Sequence, residues 1–321
     1  MEIGEGNFRY RWHEDWAKIP DTPSGRNNGR THGVGVLRDG RIVVFAQAVP
    51  AVLFYDERGT LVDSWGDRFV GAHGLQVTQE GEQEVLWLVD QASCEVVKVD
   101  LQGNTLLRLD PPPADDRPDG RYTPTWADQH PVTGDVWVGD GYGGSAVYRY
   151  SADGTYLGQW LGDEADGAGR FDGPHGLAIH PDGDIYLTDR CNHRVCVYDP
   201  KGRLLRHSDT ACHSPCSFAF FGDQIAVAEL FGAVSILDKE LNLLTRLGVN
   251  PNLVPPADWE TQTKWTRSPW AGEVGWPNVD RATHIRPGVF NSPHGIAAAP
   301  NGDLYVGEWI VGGRITKLEK I

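Results

Sequence analysis

The chain is poor in several features that would point to other kinds of protein. It has one methionine and five cysteines in 321 residues. That is too few thiols for a disulfide-stapled scaffold, and an odd number for complete pairing. The opening Met1-Glu2-Ile3-Gly4-Glu5-Gly6 has neither a basic nor an apolar segment, so it does not read as a secretory signal. Nowhere do about eighteen apolar residues run together, so neither export nor a membrane partner is expected. The predicted location is cytoplasmic, with reduced thiols. Basic residues are also scarce: 29 Lys and Arg stand against 44 Asp and Glu, a formal charge of −15. A phosphate backbone partner needs a basic footprint, so no nucleic acid is expected, and the acid excess reads as solvated surface. No Gly-x-Ser-x-Gly elbow and no phosphate-binding loop occur, which argues against those two routes to catalysis.

Glycine is abundant, at 39, with 21 prolines and 40% hydrophobic residues. This suits a soluble globular chain of many short strands joined by tight turns. One unit recurs. Aligned on a single register, its copies begin Thr31-His32-Gly33, Ala72-His73-Gly74, Pro124-Thr125-Trp126, Pro174-His175-Gly176, Pro215-Cys216-Ser217 and Pro293-His294-Gly295. Each copy continues as short apolar runs separated by turns such as Asp39-Gly40, Arg58-Gly59, Gln102-Gly103, Asp153-Gly154 and Lys201-Gly202, the pattern of an antiparallel meander. The sixth copy stops at Ile321 without a fourth strand, while residues 7 to 12 alternate like a strand that lacks a partner. Joining the two ends removes exposed edges. The predicted fold is all-β, a six-bladed β-propeller forming one domain over residues 1–321, closed by an N-terminal strand in the last blade. Residues 13 to 30 read as a connecting loop. An insertion at about residues 248–290, rich in tryptophan (Trp259, Trp265, Trp270, Trp276), reads as a lid or pocket wall.

In a propeller the first strand of each blade lines the central channel, so one repeated register becomes a ring of side chains. His73, His175 and His294 fall in blades two, four and six, about 120° apart by six-fold closure. Three converging imidazoles with an open fourth position suit a catalytic zinc ion, although other divalent transition metals also accept imidazole. His32 in blade one is a further candidate, as ligand, supporting donor or substrate contact. Residues just after the second strand ring the mouth above, because the two strands run antiparallel. These include Gln47, Tyr142, Arg190, Phe231 and Trp309. The acids that recur there serve the turns first. Tyr142 is the expected proton-transfer residue and Arg190 the expected carboxylate anchor. His32, Gln47, Phe231 and Trp309 are expected substrate contacts. The remaining histidines are read as hydrogen-bonded structural residues, Asn192-His193 as a structural turn pair, and the cysteines as packing thiols.

The stretch from Asp189 to Val197, with its Asn-His-Arg-Val core, resembles NHL repeats, and the likeness runs over nearly the whole chain. Within that group the chain is most similar to the peptidyl-α-hydroxyglycine α-amidating lyases. The resemblance implies a six-bladed propeller with zinc held by histidines in alternate blades, matched by Ala72-His73-Gly74-Leu75, Pro174-His175-Gly176-Leu177 and Pro293-His294-Gly295-Ile296. It also implies a catalytic tyrosine in an Asp-Gly-Tyr segment, here Asp140-Gly141-Tyr142, and an active-site arginine after the blade-four acid, here Arg190. The departures are specific. Gln47 stands where that family has its catalytic arginine, Ser292 replaces a methionine, and His32 is extra. Gly295 replaces a ligand of the family's structural calcium, which argues against Ca2+ here even with the Val34 and Leu75 carbonyls available. Without export or disulfides, an amidated-peptide substrate is not expected. The leading reading is a metal-dependent lyase or hydrolase acting on a small polar, hydroxylated or carbinolamide-like molecule. Two alternatives remain open: a non-catalytic NHL propeller that binds a protein or ligand, and a sugar-lactone hydrolase of the gluconolactonase type. The histidine ring argues against the last. The oligomeric state is left open.

Overall fold

In each repeat the first three strands are largely buried and the fourth is more exposed. In blade one, Ile42–Ala46 and Val52–Tyr55 are wholly buried, whereas Leu61–Trp65 is not. Such sheets must stand between two neighbours with one edge in solvent. The computed structural model, which describes residues 1–163, 169–208, 212–251 and 285–321, shows six antiparallel blades of this kind. Blade one is Thr31–Val36, Ile42–Ala46, Val52–Tyr55 and Leu61–Trp65. Blades two to five begin with the inner strands Ala72–Glu80, Trp126–Gln129, Pro174–Ile179 and Pro215–Phe221, each followed in order by three more strands. Trp259, Trp265, Trp270, Trp276 and His284 lie outside the described residues.

Blade six closes the ring. Its order is Glu2–Ile3, Tyr10–Ala17, Arg314–Lys320, Leu304–Glu308, Pro293–Ala298. The closing strand was expected at residues 7 to 12 and runs instead from Tyr10 to Ala17, with Tyr10 opposite Lys320 and Ala17 opposite Ile315. Its pairing shifts between His13 and Ala17, where Asp15 takes a φ of 46°. This bulge breaks the alternation that marks a strand in sequence, which is why residues 13 to 17 read as loop. The rest of that stretch includes the short helix Pro23–Asn27, capped by the Thr22 hydroxyl, which accepts from Gly25 N at 3.1 Å.

The core lies in the wedges between blades. Val43, Phe45 and Phe54 of blade one pack with Leu86, Leu88 and Val97 of blade two, and Trp137 stacks on Trp160 at 3.8 Å. The two ends of the long insertion meet beside the closing strand. Phe290 N donates to Gly248 O at 2.8 Å, and the Phe290 ring packs on Trp12 at 4.6 Å.

Candidate metal centre

The ring register is held by two devices that recur around the axis. The first is an acid at the end of the second strand in blades two to six, which accepts from the backbone leading into the inner strand. Asp90 accepts from Gly71 N at 2.8 Å, Asp189 from Asp172 N at 2.7 Å, and Glu308 from Asn291 N at 2.5 Å. These acids serve the backbone, as expected. The second device is a break in pairing at the ring position itself. It falls between Ala72 and Leu75, Pro174 and Leu177, and Pro293 and Gly295, and likewise between Thr31 and Gly33 and between Pro215 and Ser217. A bulge re-aims the side chain it carries.

His73, His175 and His294 are buried, with ring centroids 4.7, 4.8 and 4.8 Å apart. Each Nδ1 lies beside a backbone carbonyl at the same register of the next blade: His73 to Thr125 O at 2.7 Å, His175 to Cys216 O at 3.0 Å, and His294 to His32 O at 3.2 Å. A carbonyl accepts, so each Nδ1 carries the proton and each Nε2 keeps its lone pair. The same carbonyls explain the glycine after each histidine. A Cβ at Gly74, Gly176 or Gly295 would lie 2.5, 2.0 or 2.2 Å from Thr125 O, Cys216 O or His32 O. The His-Gly pair is therefore one device, a ring donor and the clearance that brings its acceptor close.

Tyr142, from the blade-three Asp-Gly-Tyr segment, places its hydroxyl 3.1 Å from His73 Nε2 and 3.0 Å from His175 Nε2. Arg190 Nη1 donates to the same oxygen at 3.1 Å, and its guanidinium lies 5.1 Å from the Tyr142 ring centroid. The single phenolic proton satisfies one of two nitrogens. His294 Nε2 and both ring nitrogens of His32 are buried with no hydrogen-bond partner among the described residues. His32 sits inside the cluster, its ring centroid 4.7 Å from His73 and 4.4 Å from His294. Lone pairs converging on the axis thus outnumber the protons available to them, and each buried unsatisfied group costs about 1–3 kcal/mol. Such a set could hold a cation. Burial holds all four imidazoles neutral: it pushes His73 down to about 3 and His32, His175 and His294 well below the usual range. Neutral imidazole is the ligating form, and this donor set suits zinc, copper, iron or nickel. Burial also raises the Tyr142 phenol, against the lowering effect of Arg190.

Among the described residues, two sets of ligand atoms lie within 4.8 Å of one another: His32, His73 and His294, and His175, Cys216 and His294; the predicted trio His73, His175 and His294 is split between them. Cys216, read from sequence as a packing thiol, thus stands beside the histidines while its Sγ contacts Ser214 O at 3.6 Å. The signal was its place at the histidine register in blade five. The mouth residues are less uniformly gathered. Phe231 is buried against Cys216 and Leu230, stacked on His193, and half-buried Trp309 packs on that group. Gln47 is half-buried and pairs through its backbone with Gly29 and Arg30. Arg30, which sequence reasoning passed over, lies 5.4 Å from the Trp309 ring centroid. The turn pair is structural: Asn192 donates to Asp189 at 2.8 Å and His193 Nδ1 accepts from Ser214 N at 2.9 Å.

Residues 171–198 match the family model for the NHL repeat. Over 339 aligned positions the chain is 27% identical to the peptidylglycine alpha-amidating monooxygenase of Rattus norvegicus, with 94% of this chain and 31% of the rat protein covered. It is 25% identical over 209 positions to NHL repeat-containing protein 3 of Homo sapiens, covering 59% of this chain and 56% of that protein. The alignments thus span less than a third of each of the amidating monooxygenases matched, from 18% to 31%. Among solved structures, virginiamycin B lyase from Staphylococcus aureus superposes with a TM-score of 0.60 at 14% identity, covering 97% of this chain and 100% of that one. At that identity the likeness speaks for the fold. The chain is an NHL-repeat six-bladed β-propeller distantly related to the peptidylglycine α-amidating monooxygenases.

Proposed function

We propose that this chain is a metal-dependent lyase acting in the central channel on a small polar substrate of the N–C–OH type that carries a carboxylate. The observation that carries the reading is the Tyr142 oxygen, shared at 3.0–3.1 Å by His73 Nε2, His175 Nε2 and Arg190 Nη1. It joins a proton-bearing group, a fixed positive charge and the imidazole cluster at one point. The distant relation to amidating monooxygenases over 94% of this chain supports it further.

His73, His175 and His294 would hold the metal, with zinc the ion that best suits three imidazoles and an open position. The ion supplies Lewis acidity, which makes a substrate hydroxyl more acidic. The chain's own groups do the rest. Tyr142 relays the proton: it delivers its own to the departing nitrogen as it takes up the one lost from the hydroxyl. Arg190 places positive charge against the phenolic oxygen as that exchange proceeds, and anchors the substrate carboxylate. The balance is internal. The O–H proton leaves, the C–N bond breaks with its electron pair on nitrogen, a carbonyl forms, and nitrogen gains one proton. The Nδ1–H bonds to Thr125, Cys216 and His32 carbonyls keep the rings oriented throughout.

The test is metal content by elemental analysis together with turnover of a panel of α-hydroxylated N-acyl amino acids. About one transition metal per chain is expected, with metal and turnover both lost in the triple alanine variant of His73, His175 and His294. Turnover that persists in that variant, with no metal bound, would remove the reading.

A further inference from the structure

We propose that His32 is a fourth protein ligand, so that the axial ion is held by four imidazoles. The inference rests on the reading above that the axis holds a metal. It begins from how the six ring positions are satisfied. His73, His175 and His294 each spend Nδ1 on a neighbouring carbonyl. Thr125 Oγ1 donates to carbonyl oxygens of Pro174 at 3.1 Å and Gly139 at 3.2 Å, and Cys216 Sγ reaches Ser214 O. His32 alone at this register has both polar side-chain atoms buried and unpartnered.

A packing histidine in this fold looks different. His130 accepts from Val132 N and Thr133 N, and His193 accepts from Ser214 N. The His32 ring has no such contact, yet its own carbonyl is the acceptor that orients His294. Its position is therefore tied to the cluster through the backbone while its ring is turned among the other imidazoles. It shares a ligand set within 4.8 Å with His73 and His294. Its side of the axis also differs from that of Tyr142, which bridges His73 and His175. Neutral imidazole nitrogens suit zinc, and suit copper or nickel equally.

The test counts imidazoles by X-ray absorption on the zinc-loaded wild type and His32→Ala, with zinc affinity measured by chelator competition. Four imidazoles are expected in the wild type and three in the variant. Affinity should fall at least about tenfold, since even partners that merely orient a ligand cost 10–100-fold when removed. Three imidazoles in the wild type would overturn the proposal and leave the three-histidine reading standing. A wild type that binds no metal after loading would overturn both. The wild-type count needs no variant, so it decides the matter even if His32→Ala fails to fold; His32→Gln provides the second comparison.

Discussion

Tyr142 and His175 lie 33 residues apart in the chain and meet at 3.0 Å, hydroxyl to Nε2. Blade three supplies the one and blade four the other, so the contact exists only once two separate sheets have packed side by side. That pairing places a proton donor against the lone pair of a ring whose other nitrogen is already committed to Cys216 O.

Replacing Tyr142 by phenylalanine removes the hydroxyl and leaves the ring. Turnover is expected to fall by about 10²–10⁴, the range for a lost proton-transfer group, with metal content unchanged. Steady-state kinetics beside elemental analysis read both. A variant with wild-type kcat would assign proton transfer elsewhere.

Gly176→Ala tests the clearance that the His-Gly pair provides. A Cβ there would lie 2.0 Å from Cys216 O, so the blade-five backbone must retreat and the His175 Nδ1–H bond lengthens. Metal affinity is expected to drop about 10–100-fold, as for other lost ligand-orienting contacts, and the melting temperature to fall. Unchanged affinity would mean the carbonyl does not orient the ring.

Asp128 sets a pH dependence of stability away from the centre. It sits on the inner strand of blade three, accepting from Ile179 N of blade four and from Gln129 N, both at 2.7 Å. Burial pushes its carboxyl up to about 7, against these bonds. The folded state therefore holds the proton to higher pH than the unfolded state, and stability falls as pH rises. Between pH 6 and 8 the unfolded group is fully ionised while the folded group passes through its pKa. The loss is about 1.4 kcal/mol. Urea melts at both values should show this drop in the wild type relative to Asp128→Asn; parallel profiles would refute it.

Ring closure should carry much of the stability. Trp12 of the closing strand is 4% exposed and packs on Phe290, with the Arg314 guanidinium 5.0 Å from its ring centroid. Trp12→Ala is expected to cost about 3–5 kcal/mol. Val62→Ala, on an outer strand and 51% exposed, should stay within about 0.5 kcal/mol. Equal losses in chemical denaturation would show that the closing strand is not privileged.

Much of this was legible in one dimension because a repeat converts register into geometry. Residues that share a register share a position around the axis, so His73, His175 and His294 could be gathered without coordinates. The closing strand was harder. Its bulge at Asp15 and the polar run His13-Glu14-Asp15 hide the alternation that a regular strand shows.

Sequence alone carries the six meanders, the alternate-blade histidines and the acids that end five of the six second strands, because local pattern and period are held by neighbouring residues. The tertiary structure alone decided that His32 and Cys216 stand within the cluster, and that His73, His175 and His294 each face a carbonyl of the next blade. These depend on how closely two sheets approach and on where a bulge turns one side chain. Both are properties of packed blades, which no single repeat encodes.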